Sequence, residues 1–437
     1  MSIPTLQGLQ TALSGLVAEQ QAIDTTGQNI TNANTEGYSR QVAVLQTNEP
    51  LRIAALSPTN GEGGQLGTGV SVATFVRIRN TYLDAQYRTQ NSGLGAATTQ
   101  ANELEQAQSA FDEPSSAGLA TQLSAFWSAW GELADAPSSE AAKVSVVSAG
   151  TQVADTLHEV SAQLQTIEAQ AVQQYAAITG PSGEVQDDAT QIAQLNQQIK
   201  LSLQAKQQPN DLEDRRDLLL DKLSALGSVT VTKEANGTDT VAFGGATQPL
   251  VEGEKVNWPQ ALTKAAGGKL GVLLELSSPE GALAKYREAL NGVAKTLADS
   301  VNKLHTATPF FTGTTAATLA VAVTPSEVQT AGPANPGGNE VALAIAGLRG
   351  GGAEQQYAAL IAQIGSDVQS AKSNETNAQA VVTAVNEQRQ SVSGVSLDEE
   401  MTNLITFQRG YEASARALTS MDEMLDTLIN HTGQVGL

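Results

Sequence analysis

Pro4-Thr5-Leu6-Gln7-Gly8-Leu9-Gln10-Thr11-Ala12-Leu13-Ser14-Gly15-Leu16 is the stretch on which the fold turns. Leu6, Leu9, Leu13, Leu16, Gln20, Ile23, Gly27 and Ile30 follow one another in alternating steps of three and four, the rhythm of a heptad seam on a helix that pairs with another helix. Pro4 falls in the first turn, where a missing N–H costs little. The helix stops within Gln28-Asn29-Ile30-Thr31-Asn32-Ala33-Asn34-Thr35-Glu36-Gly37-Tyr38-Ser39-Arg40, whose Asn and Gly residues tolerate left-handed backbone.

The carboxyl end answers in kind. Ser396-Leu397-Asp398-Glu399 reads as a capping box, in which Ser396 and Glu399 satisfy each other's backbone donors while Asp398, Glu399 and Glu400 complement the helix dipole. Behind it Leu397, Met401, Leu404, Tyr411, Ala415, Leu418, Leu425 and Ile429 form a second seam, widened on one side by Ile405, Met421, Met424 and Leu428. An apolar stripe usually serves its own chain's core. These two lie at the chain ends, where a helix frays without a partner, so they are expected to pair with each other and with neighbouring copies.

Between them, helical pattern fills about 80 to 227, with breaks at Asp112-Glu113-Pro114-Ser115-Ser116, Pro137-Ser138-Ser139, Gly180-Pro181-Ser182-Gly183 and Pro209-Asn210. Val153, Leu157, Val160, Leu164, Ile167 and Ala171 step by fours and threes inside a helix from Ser138 to Thr179 that would run about 60 Å. Residues 41–80 hold short β-like runs around Asn60-Gly61-Glu62-Gly63-Gly64-Gln65-Leu66-Gly67-Thr68-Gly69, a flexible turn without the GxGxxG spacing or βαβ context of a phosphate cradle. After Ser228 the period changes: Val229, Val231, Val241, Phe243, Leu250 and Val251, with a hairpin signal at Asn236-Gly237, read as short strands. A helix from about Glu280 to Thr306 interrupts them, and helical pattern returns near Glu354 with a break at Ser393-Gly394.

The expected fold is mainly α and elongated. Residues 1–45 and 395–437 form a terminal coiled-coil assembly domain; 46–227, 280–306 and 340–394 form a helical bundle shaft with a short β-loop at 41–80; 228–279 and 307–339 form one small inserted β-rich lobe. Trp127 and Trp130 are expected as core anchors, and His158 as a lone exposed side chain. The charges from Asp211 to Asp221 are expected on a solvated helix face, in pairs such as Asp211–Arg215.

Composition excludes more than it suggests. The 437 residues carry 24 Lys+Arg against 45 Asp+Glu, a net charge of −21 that repels phosphate backbones and argues against a nucleic-acid partner. With no cysteine, thiolate zinc sites, disulfides and Cys nucleophiles are out. His158, His305 and His431 lie far apart and form no metal-binding pattern, so neither a metal nor a cofactor nor an enzymatic activity is expected. The longest apolar runs, such as Val341 to Leu348, fall far short of a membrane span. The first basic residue is Arg40, so the amino end lacks the charged region of a secretory signal, and any export is expected to proceed without a cleaved one.

Four ordered blocks carry a family resemblance. Asn29 through Arg40 resembles the amino-terminal signature of bacterial flagellar rod, hook and hook-associated proteins. Gly67-Thr68-Gly69-Val70-Ser71-Val72 through Arg77-Ile78-Arg79-Asn80, Asp211 through Leu223, and Ser391 through Glu400 with Phe407-Gln408-Arg409-Gly410-Tyr411 are similar to segments of the hook-associated members. The resemblance implies a non-enzymatic structural subunit of a secreted, extracellular flagellum, cytoplasmic before type III export, that self-assembles as a layer between hook and filament. It implies as partners copies of itself, the hook protein, the next hook-associated protein or the filament, and an export chaperone on the carboxyl-terminal helix, with no membrane insertion. Assembly is then expected to rest on Leu6, Leu9, Leu13, Leu16, Ile23, Asn29, Asn32, Asn34, Gly37 and Tyr38 at one end. At the other it rests on Leu397, Met401, Leu404, Ile405, Tyr411, Leu418, Met421, Leu425, Leu428 and Ile429. The outer part is reduced relative to many family members, since Thr306-Ala307-Thr308 runs directly into Pro309-Phe310-Phe311. Two other readings stay open: the hook protein or another axial protein, or a filament scaffold whose β lobe binds a surface ligand.

Overall fold

A computed structural model describes residues 4–53 and 64–431. Of the Gly-rich segment read as a flexible turn, residues 60–63 lie outside the described residues, and Gly64–Leu66 is a strand. Helix α1 (Pro4–Thr31) leads into β1 (Gln41–Thr47), which pairs antiparallel with β4 (Val70–Arg77), while β2 (Leu51–Ile53) and β3 (Gly64–Leu66) extend the ribbon. Five helices follow: α2 (Thr81–Ala110), α3 (Leu119–Asp135), α4 (Glu140–Thr179), α5 (Glu184–Gln204) and α6 (Asn210–Leu226). Every break expected from Pro, Ser and Gly falls between two of them.

A meander of β5 (Val229–Lys233), β6 (Asp239–Phe243), β7 (Val251–Glu252) and β8 (Lys255–Val256) comes next, with Asn236 and Gly237 in its first turn. Then come α7 (Gly268–Leu276), α8 (Ala282–Leu304), the hairpin β9 (Phe311–Thr312) and β10 (Ala320–Val321), α9 (Glu340–Ala346), α10 (Gly352–Ser393) and α11 (Leu397–Asp426), which ends in a π turn to His431. At 1.5 Å per residue the 42-residue α10 spans about 63 Å, and α2 and α8 lie along it.

Two apolar cores fill this body. The larger runs through α2, α3, α4, α8, α9 and α10. At its centre Phe126, Trp130, Phe310 and Phe311 meet with ring centroids 4.8–6.3 Å apart, and the α4 series from Val153 to Ala171 is buried throughout. Trp127 and Trp130 are core residues, as their spacing suggested. His158 is half-buried beside Leu157, not exposed. The smaller core joins α5 and α6 to the meander through Ile192, Leu220, Leu223, Val241, Phe243 and Val251.

The β segments therefore do not form one lobe. The meander closes the small core, whereas β9 and β10 are pinned to the large one by Phe310 and Phe311. The stretch 268–276, assigned to the lobe from sequence, is helix α7, packed on α2 and α4. Its alternation of apolar and polar residues is absent because it is buried nearly all round.

Within the small core Asp188 is buried, and among the described residues no cation lies close enough to bridge it. Burial pushes its carboxyl from 3.8 up to about 6, Glu184 adds to the shift, and Lys222 opposes it. A raised acid destabilises the fold only where it is ionised, so the penalty is absent below pH 3.8, grows to about pH 6 and is constant above. Asp188→Asn will therefore gain roughly 2–3 kcal/mol at pH 8 and well under 1 kcal/mol at pH 4. Urea denaturation at the two pH values checks this; an equal effect at both would contradict it.

Candidate assembly site

The terminal helices belong to neither core. They pack on each other, antiparallel, in a single continuous register: Gly8 meets Met421, Gly15 meets Ser414, Glu19 meets Gly410, and Asn29 meets Glu400. The face that α1 turns to α11 is a heptad series of mostly small residues, Gly8, Ala12, Gly15, Glu19, Ala22, Thr26 and Asn29. Opposite it Leu404, Phe407, Tyr411, Ser414, Leu418, Met421 and Leu425 are half-buried at steps of three and four. The glycines suit this approach, since a Cβ on Gly8 or Gly15 would stand 3.0 Å from Met421 Sδ or Ser414 Oγ, closer than ordinary contact.

The leucine seam of α1 is thus not the one that α11 covers. Leu9, Leu13, Leu16 and Ile23 sit one residue further on, about 100° round the helix. Leu13 is 48% exposed and Val17 44%. The third side of α1 meets the ribbon, where Ser14 Oγ accepts from the Val70 N–H at 3.2 Å and Gly69, at φ +100°, lies against Thr11 and Ser14. On α11 the residues away from α1, namely Leu397, Met401, Ile405, Met424, Leu428 and Ile429, are all 47–71% exposed. Leu6 belongs to α1 by its backbone, and its side chain lies outside the described ones.

At the foot of the pair the chain passes between the terminal helices and the rest of the molecule twice, after α1 and before α11. Asn29, 1% exposed, organises the crossing: its Nδ2 donates to the Gln41 carbonyl at 2.8 Å and to Glu400 Oε2 at 3.0 Å. Its Oδ1 accepts from the Gln41 N–H at 3.0 Å and from Tyr38 Oη at 2.8 Å. Burial first, then Asp211, Asp214 and Glu400, push the Tyr38 phenol above its ordinary value, so it stays a donor. Gly37, at φ +80°, brings the turn against Leu218, where a Cβ would be 3.3 Å away. Asn32 closes the turn locally, with Nδ2 donating to Gln28 O, while Asn34 is exposed. The capping box of α11 is half formed: Ser396 Oγ accepts from the Glu399 N–H, but the Glu399 carboxylate bridges Arg40 at 2.7 Å.

Below this lies the largest departure from the sequence reading. Asp214, Asp217 and Asp221 share one face of α6, and that face is buried, not solvated. Arg77, at the end of β4, reaches Glu213, Asp214 and Asp217 at 2.6–3.0 Å. Arg79 grips Asp84 through two nitrogens and reaches Asp217 at 3.1 Å, and Arg88 of α2 spans Asp217 and Asp221. Arg389 of α10 completes the set, bound to Asp221 and lying 4.0 Å over the Tyr87 ring. Burial alone would raise the Asp217 carboxyl, but Arg79, Arg77 and Arg88 outweigh it and hold it well below the usual carboxylate range. Ser39 ties the turn to this cluster through its N–H and hydroxyl, both donating to Asp214. On the far side of α6, Arg216 donates to Asn196 Oδ1 at 2.8 Å and lies 3.0 Å from Asp239.

The arrangement is suited to holding parts together. Among the described residues no group of His, Asp or Glu is placed to hold a metal ion, and no helix is long and apolar enough to cross a membrane.

Comparison with known proteins agrees in order along the chain. Residues 9–38 match the flagella basal body rod protein family, 104–265 the helical domain of the flagellar hook-associated protein FlgK, and 386–431 the carboxyl-terminal family of the basal body rod proteins FlgEFG. Flagellar hook-associated protein 1 of Bacillus subtilis is 29% identical over 508 aligned positions, covering 99% of each chain. That of Escherichia coli is 25% identical, covering 97% of this chain and 99% of its own. The flagellar hook junction protein FlgK of Burkholderia pseudomallei, a solved structure, superposes on 51% of this chain and 43% of its own at a TM-score of 0.45 and 25% identity.

Proposed function

Because the chain belongs to the hook-associated protein 1 family of the bacterial flagellum, whose members are structural subunits at the hook–filament junction and not enzymes, we propose that it assembles there through the open faces of α1 and α11. One observation carries this reading. The two helices spend their small-residue and half-buried seams on each other, and large apolar side chains stay exposed on both, Leu13 and Val17 on α1 and Leu397, Met401, Ile405 and Met424 on α11, with Leu9, Leu16 and Ile23 half-buried beside them. Uncovered apolar stripes of this length mark a protein–protein interface.

The half-buried Leu404, Tyr411, Leu418, Met421 and Leu425 hold the pair together within a subunit. Leu9, Leu13, Leu16, Ile23, Leu397, Met401, Ile405, Leu428 and Ile429 then face copies of the chain, and Asn29, Gly37 and Tyr38 set the angle at which the pair leaves the shaft. Hook protein on one side and the next hook-associated protein or filament on the other are the remaining axial partners. The same open ridge of α11 suits an export chaperone that covers it in the cytoplasm before secretion.

Leu13→Asp, and separately Met401→Asp with Ile405→Asp, will abolish assembly and motility while leaving the helical circular dichroism of the purified chain unchanged, since all three side chains are about half exposed. Normal swimming by cells carrying either variant as their sole copy would sink the reading.

A further inference from the structure

The terminal helices differ in where their cations lie: α1 has none, whereas both cations of α11, Arg409 and Arg416, stand on its outward side among exposed acids such as Glu412 and Glu423. From Pro4 to Thr31, α1 holds two acids, Glu19 and Asp24, and no base. Asp24 continues the open series Leu13, Val17 and Gln20 by a further step of four, is exposed on its own element's outer side, and has no cation within ion-pair distance among the described residues. Arg215 lines the same cleft of about 600 Å³ at the foot of α1 without pairing with it. Glu19 lies inward against Gly410, where burial raises its pKa, and its Oε2 has no hydrogen-bond partner among the described residues.

On α11, Leu397, Met401, Ile405 and Arg409 follow at steps of four, so the apolar ridge ends in a cation. Arg409 is exposed and makes no ion pair among the described residues. Arg416, seven positions on and therefore above the same face, is 83% exposed and only 3.7 Å from Glu412. Whatever covers this ridge brings both guanidiniums up against itself. A surface that is acidic and free of cations, apolar along a matching seam, and present at equal concentration is the α1 face of another copy.

Heptad seams alone leave the axial register between subunits open, because a slip of one heptad re-forms equivalent apolar contacts. A charge pair at one position removes that degeneracy. We propose that the Arg409–Arg416 edge of α11 in one copy packs beside Asp24 of α1 in the next and fixes the register between them. This rests on the reading that the open seams join subunits.

The test uses cells whose sole copy is a variant. It measures chain retained on isolated hook–filament particles against chain exported into the medium. Asp24→Arg and Arg409→Glu will each lower the retained fraction about tenfold with export unchanged, the double reversal will restore it, and Arg409→Lys will stay near native. Single reversals that assemble normally, or a double no better than the singles, would overturn the pairing. If a reversal blocks export, Asp24→Asn or Arg409→Gln replaces it with loss still expected, and normal retention again overturns the pairing. The underlying reading fails separately, through normal assembly of Leu13→Asp.

Discussion

Asp217→Ala will lower the stability of the shaft by roughly 3–5 kcal/mol, the cost of leaving buried charge without its partner. Asp217 is the one carboxylate that Arg77, Arg79 and Arg88 all approach within 3.1 Å, and each of these guanidiniums is at most 12% exposed. Removing it leaves three cations with too few acceptors in a place water does not reach. Because Asp217 is held below its usual 3.8, its contribution is fully present above about pH 4 and is lost as pH falls through the still lower folded value. Urea denaturation at pH 7 measures the effect, and the difference between wild type and variant should shrink on approach to pH 2. A loss under 1 kcal/mol at pH 7 would show that the cluster is wetter than its burial implies.

Gly15→Leu will separate the terminal helices without unfolding the body. Even a methyl at position 15 would press on Ser414 Oγ, and a leucine requires the axes to part by more than a side-chain rotation supplies. The register from Gly8–Met421 to Asn29–Glu400 is continuous, so the strain cannot be confined to one turn. Assembly is expected to be lost completely, and amide exchange along α1 and α11 to rise by several orders of magnitude while α4 and α10 stay protected. Exchange unchanged in both terminal helices would contradict the close packing.

What could be read from sequence was local. Helix breaks at Pro137, Pro181 and Pro209, the turn at Asn236-Gly237 and the buried series of α4 each follow from neighbours in the chain. The joint was misread because its partners are remote. The aspartates of α6 look like a solvated face until Arg77, Arg79, Arg88 and Arg389 are folded onto them, and the nearest of these is 129 residues from its carboxylate. A signal was present: Asp214, Asp217 and Asp221 share one helix face, while Arg77 and Arg79 share one side of an extended segment. The small-residue heptad of α1 was equally visible and was hidden by the leucines beside it. Hydrophobic periodicity finds the stripe of large side chains, yet helices approach most closely where side chains are absent.

The contact between Asn29 and Glu400 spans 371 positions of sequence. A contact so remote closes late, since the loop entropy must be met before the contact repays it. The shaft has both of its cores without α1 and α11, so it can fold while the two ends remain apart. A subunit would thus have a finished body before its terminal helices close on each other, and the surfaces left for neighbours would be the last part of the chain to take shape.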